Sequence, residues 1–196
     1  MRNTRIIITC AISALIATTT LALDTYKVDP AHSSVNFSID HMVVNTVHGR
    51  FRQFEGTITV DPDNNNALTA ASGTIQAKSI DTDIEKRDNH LRSPDFFDAE
   101  KFPTITFESA EVKKHSNGQV LVGKFTMHGV TKDISLPFTF KGPIKSPMGG
   151  MIMGLEINAK INRKDYGLTW NKVIEAGGVM VGDEVTIQIN AELDKK

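Results

Sequence analysis

Apolar and polar residues alternate with period two through most of the chain, the mark of strands that bury one face. Val35, Phe37 and Ile39 alternate with Ser34, Asn36, Ser38 and Asp40. Phe54, Gly56, Ile58 and Val60 do the same against Glu55, Thr57 and Thr59, up to the turn DPDNNN from Asp61 to Asn66. The next apolar rows are Gly73, Ile75 and Ala77, then Ile105 and Phe107, then Leu121, Gly123, Phe125 and Met127. Three more follow: Ile134, Leu136, Phe138 and Phe140; Met151, Met153, Leu155, Ile157, Ala159 and Ile161; and Val185, Ile187, Ile189, Ala191 and Leu193. The segments HSNGQ and HGVTK supply hairpin turns between them, and Pro137 points to an edge or a bulge in its strand. One stretch breaks the pattern: DTDIEKRDNHLRSPDFFD, from Asp81 to Asp98, predicts a short helix over about 84–92 with its N-cap at Asp81 or Thr82, then a turn at Pro94 and the pair Phe96–Phe97.

Eight amphipathic strands must hide eight apolar faces, by stacking two sheets or by closing into a barrel. An outer-membrane barrel would carry its apolar face outward between aromatic girdles, which one Trp and two Tyr cannot furnish, so the apolar face is expected inside. The chain thus reads as all-β, an eight-stranded antiparallel barrel with one short helix between strands 3 and 4. Glycines and alanines sit in the inward rows beside bulky residues. They either leave a tunnel or merely ease strand coiling.

The first 22 residues differ from the rest. Arg2 and Arg5 precede an uncharged run, Ile6 to Ala17, and Ala22 closes it, which is the pattern of a secretory signal peptide; residues 23–196 then form one domain. Cleavage there would leave 174 residues with 20 basic against 23 acidic side chains, and would remove Cys10, the one cysteine. The periplasm is the expected destination. A small acidic excess does not suit nucleic acid, and without cysteine there is no thiol catalysis and no cysteine-held metal.

The segments VDPAHSSVNFSIDHM (Val28 to Met42), GRFRQFEGTITVDP (Gly49 to Pro62), IDTDIEKRDNHLRSPDFFDAEKFPTITFES (Ile80 to Ser109), HGVTKDISLPFTF (His128 to Phe140) and INRKDYGL (Ile161 to Leu168) resemble, in this order, the YceI family of bacterial periplasmic proteins. The resemblance spans essentially the whole of residues 23–196. It implies a lipocalin-like barrel whose apolar pore holds a long-chain isoprenoid or similar amphiphilic lipid, no enzymatic activity, a homodimer, and only transient contact with a membrane.

Under that reading the interior rows give the candidate lipid-binding surface: Phe37, Ile39, Ile75, Phe97, Phe107, Gly123, Phe125, Met127, Leu136, Phe138, Phe140, Met153, Ile157 and Ile187. Arg87, His90, Arg92 and Ser93 would form a polar rim for the head group, because a polar group buried unpaired costs roughly 1–3 kcal/mol. Arg163 is a second rim candidate, against the plainer reading of a surface turn. Phe96 and Phe97 are a lid or a plug. No metal site or cofactor is expected, since no His-x-His occurs and the histidines show no ligand spacing. Asp88, His90 and Ser93 lie too close together for a hydrolase triad, and no Gly-x-Ser-x-Gly elbow is present. An enzyme acting on such a lipid, which would need a His or carboxylate in the tunnel, and a ligand-free stress protein with a filled core remain the alternatives.

Overall fold

Each alternating segment of the sequence becomes a wall strand in the computed structural model, which describes residues 22–116, 118–173 and 178–196. The expected export segment, Ala22 aside, lies outside the described residues. In chain order the elements are β1 (Asp24–His41), β2 (Asn45–Phe51), β3 (Phe54–Asp61), β4 (Ala67–Gln76), β5 (Ile80–Asp81), α1 (Glu85–Arg92), β6 (Thr104–His115), β7 (Gly118–Met127), β8 (Val130–Lys145), β9 (Met151–Asn162) and β10 (Val181–Lys195). Eight of the strands close a ring in the order β1-β3-β4-β6-β7-β8-β9-β10, with β10 returning to β1, and every pairing is antiparallel. Closure removes the edges an open sheet would expose. The helix falls between the third and fourth ring strands.

Two strands lie outside the ring. β1 is 18 residues long and changes partners along its length: Asp24 to Lys27 pair with β3, Val35 to His41 with β2, and β2 in turn holds β5 through Arg50↔Asp81 and Phe51↔Ile80. Between these halves β1 advances five residues, Asp29 to Ser34, while β10 advances only two, Glu192 to Asn190. The surplus loops outward as a bulge holding Pro30, Ala31 and His32, a place where a proline costs no ladder bond. Pro137 behaves alike: β8 pairs with β9 only from Phe138 onward, so Pro137 sits where the strand is locally an edge. At the β7–β8 turn His128 and Gly129 both have positive φ, 51° and 74°, as a two-residue type I′ turn requires.

The core divides along the barrel axis. At one end Tyr26, Ile58, Val60, Leu68, Leu121, Phe138, Met153, Leu155 and Leu193 pack into a floor. At the other, Val35, Phe51, Ile80, Ile105, Phe125, Met127, Tyr166 and Leu168 pack under α1. Phe107, Ile134 and Ile189 touch both groups. The helix spans the expected stretch, but its N-cap is Ile84, without a side-chain cap, and not Asp81 or Thr82. Thr82 instead donates both its backbone N–H (2.9 Å) and its hydroxyl (2.6 Å) to buried Asp88, which ties the first turns back to the barrel.

Candidate functional site

Between the two clusters lies a chamber of about 220 Å³, walled almost entirely by apolar atoms. It runs from Val28 and Leu193 near the floor to Leu91, Phe96, Phe97, Leu168 and Val181 beneath the helix end. All eight ring strands contribute to it. Of the side chains singled out in the sequence, Phe37, Ile39, Ile75, Phe97, Phe107, Phe125, Met127, Leu136, Ile157 and Ile187 line this space.

Four do not. Phe138 and Met153 are buried in the packed floor, and partly buried Phe140 packs against it. Gly123 corrects the expectation that it opens the tunnel. A Cβ placed there would stand 2.3 Å from the Glu108 carbonyl oxygen and 2.7 Å from Ser109 Cα, because β6 bulges between Ser109 and Glu111 and leans onto β7. Its missing side chain admits a backbone, not a ligand. Gly73 is the opposite case: it lines the chamber, and a Cβ there would meet only the Glu55 carbonyl at 3.6 Å. Gly56 pairs with Gly73 across β3 and β4, but a Cβ on Gly56 would meet the Ser72 carbonyl at 3.0 Å and Val28 at 3.1 Å, so the open space lies before Gly73.

The expected polar rim is also redrawn. Arg87, His90, Arg92 and Ser93 do not border the chamber. Their donors already have partners: Arg87 bonds the Thr82 hydroxyl (2.7 Å) and carbonyl (2.8 Å), Arg92 the carbonyls of Lys78 (2.8 Å) and Ile80 (2.7 Å), and Ser93 the His90 carbonyl (2.7 Å). His90 faces Asp95 at 2.8 Å, with its ring edge-on to Phe96 and Trp170 at 5.0 and 4.9 Å. These residues anchor the helix and thereby hold Leu91, Phe96 and Phe97 in the chamber wall. The charged run in the sequence marked an anchored cover.

Arg163 is the one expected rim residue that borders the chamber, and it is 2% exposed. It follows β9 in a short 3₁₀ turn that Asn162 caps and Gly167 closes. Its guanidinium donates to the carbonyls of Gly182 (2.7 Å), Leu168 (2.5 Å), Trp170 (3.0 Å) and Val181 (3.4 Å), so it sews the segment after β9 to the start of β10. Burial pulls its pKa below the ordinary value, and Asp183, 3.6 Å away, opposes that pull. The surface-turn reading therefore fails for Arg163. Sequence reasoning also missed Phe51, Phe54, Leu168 and Val181, which line the chamber from the end of β2, the start of β3, the segment before β10 and the start of β10. Among the described residues only two ionisable ones border the chamber, Arg163 and exposed Glu55.

Outside the barrel, on its floor end, the fold brings Glu192 of β10 up to two neighbouring groups at the β1 bulge. Asp29, His32 and Glu192 place one donor atom each within 4.8 Å of one another.

A closed eight-stranded antiparallel barrel around an apolar chamber, covered at one end by a helix, is the class of fold the geometry defines. The chain belongs to the YceI-like domain family, whose profile matches residues 26–193. A UPF0312 protein of Staphylococcus aureus is 40% identical over 169 residues, covering 85% of this chain and 95% of the relative. A YCEI protein of Campylobacter jejuni is 31% identical and superposes with a TM-score of 0.68 over 81% of this chain and 90% of its own. A domain of Saccharophagus degradans described as polyisoprenoid-binding shares the fold, with a TM-score of 0.61, 17% identity, and coverage of 87% of this chain and 98% of its own.

Proposed function

We propose that this protein binds and carries a long-chain isoprenoid or a similar amphiphilic lipid of polyprenyl, quinone or fatty-chain type, held lengthwise in the chamber. The observation that carries the reading is the chamber itself, about 220 Å³ of apolar space along the barrel axis. Water gains nothing there, whereas each buried methylene contributes about 0.8 kcal/mol to a bound chain. The wall supplies shape and little acid–base chemistry, since Arg163 is fully engaged by backbone carbonyls and Glu55 faces solvent. That supports a binding role over catalysis. The polyisoprenoid-binding description of a protein with the same fold points the same way. The export pattern of residues 1–22 supports a periplasmic carrier, for which loading and release require only transient contact with a membrane, and a homodimer is in keeping with the family resemblance.

Organic extraction of protein purified from its own periplasm, followed by mass spectrometry, tests this. The expected result is a reproducible prenyl or acyl chain at near-stoichiometric yield, and uptake of a labelled prenyl alcohol by the stripped protein. Protein that yields no lipid and takes up none of the alcohol would overturn it.

A further inference from the structure

The cluster at the floor end stands apart from the chamber. Asp29 and Glu192 are direct cross-strand partners in the β1–β10 ladder. Two like charges at opposed positions repel, so a cation held between them would be stabilising. The bulge of Pro30, Ala31 and His32 brings an imidazole back over the pair: His32 Nδ1 lies 2.5 Å from Asp29 Oδ2 and 3.8 Å from Glu192 Oε1. The bulge is held in shape independently of His32. Asp29 Oδ1 accepts the backbone N–H of Ala31 at 2.9 Å, and Ser33 Oγ accepts the backbone N–H of Glu192 at 2.9 Å.

We propose that Asp29, His32 and Glu192 form a surface site for a divalent first-row transition ion, with zinc as the reference metal. One imidazole nitrogen and two carboxylates suit zinc, copper or nickel more than magnesium or calcium, which prefer all-oxygen shells. Ligands around a tetrahedral zinc with bonds of about 2.0–2.2 Å stand roughly 3.3–3.5 Å apart. The three donors here, all within 4.8 Å of one another, reach that spacing by small side-chain rotations. His32 is 68% exposed and Glu192 38%, so water can complete the shell. A groove on the outer wall, bordered by His32, Gly154, Asn190 and Glu192, gives that water room. Two carboxylates offset the charge of a divalent ion in full. The ion would staple the bulge of β1 to β10, strands that also wall the chamber through Val28 and Leu193.

The test is zinc titration of the untagged protein by calorimetry, with a chromophoric chelator as competitor. One equivalent is expected to bind at micromolar concentration or tighter. His32→Ala and Glu192→Gln should each weaken it by at least the roughly 10- to 100-fold that even an outer-sphere partner is worth, whereas removing the exposed His48 or His115 should not. Circular dichroism of the zinc-free variants checks folding, and Glu192→Gln keeps the test decisive should His32→Ala disturb the bulge. Zinc binding unchanged in Glu192→Gln, or equally weakened by His48→Ala, would overturn the site, as would a wild type that binds no equivalent. Lipid content plays no part in this readout, so the outcome is independent of the carrier proposal.

Discussion

Two glycines in the wall have opposite reasons for lacking a side chain. Gly123 is confined by backbone atoms of β6 under 3 Å from its missing Cβ, and neither a carbonyl nor a Cα can swing aside as a flexible side chain would. Gly123→Ala should therefore cost roughly 1–3 kcal/mol as an overpacked site and lower the thermal midpoint by some 2–4 °C per kcal/mol, with no direct effect on lipid uptake. Gly73 has open space before it. Gly73→Leu should leave the midpoint of the stripped protein unchanged or raised, because the added carbons fill empty volume, while bound lipid falls. Measuring bound lipid and unfolding midpoint on the same preparations separates the two cases, and a Gly73→Leu variant that unfolds early yet retains its lipid would show that this stretch of chamber is not where the chain lies. Both glycines occupy the same inward row pattern in the sequence. What distinguishes them is a bulge thirteen or more residues away in sequence, which alternation cannot register.

At the level of elements, the strands with one dry and one wet face are those the alternation reveals, and they make the ring. β2 shows why other strands stay hidden: in NTVHGRF only Phe51 is buried, so its pattern carries no period. The first part of β1, Asp24 to Asp29, is masked by Pro30, which reads as a break and is in fact accommodated by the bulge. The helix was legible as an interruption, but its purpose was not, because Arg87 and Arg92 look solvated in a linear sequence and are in fact bonded to carbonyls on β5 and its flanks. The same cover is fixed to β2 electrostatically. Asp81 on β5 accepts from Arg50 (3.1 Å) and Arg52 (2.6 Å) of β2 and its turn. Its carboxyl is held at about 2 against an ordinary 3.8, first by the backbone N–H of Asp83 and then by Arg52 and Arg50, with partial burial opposing them. A depressed folded-state pKa stabilises the fold above the unfolded value, and that contribution fades as pH falls from about 4 through about 2. The midpoint difference between wild type and Asp81→Asn should accordingly be constant above pH 4 and shrink toward zero near pH 2. A difference that stays flat across that window would show that the ionised form of Asp81 does not hold the cover.

For the whole molecule, the decisive feature is the unequal filling of the barrel. The inward rows could be read from the sequence, but not which part of them is solid, because packing depends on volumes summed over eight strands. Phe138 on β8 and Met153 on β9 belong to the floor, whereas Phe125 on β7 and Ile161, farther along β9, face the space. Likewise the pairing of Asp29 with Glu192 arises only when β10 closes the ring onto β1. A natural core seldom leaves such a void, since the lining atoms forgo their dispersion contacts. At about 24 cal/mol per Å³, an empty chamber of about 220 Å³ costs on the order of 5 kcal/mol. A chain that fills it restores those contacts and adds its own binding linkage. Delipidation is thus expected to lower the unfolding midpoint by roughly 10–20 °C at 2–4 °C per kcal/mol, with the secondary structure retained, and re-addition of the extracted lipid should recover the loss. Hydrocarbon chains too short to reach from Phe97 to the Leu121 and Leu193 floor should recover only part of it, in proportion to the volume they fill. A stripped protein whose midpoint equals that of the loaded form would mean that the lipid leaves the chamber unfilled, and the assignment of its wall as the binding surface would have to be abandoned.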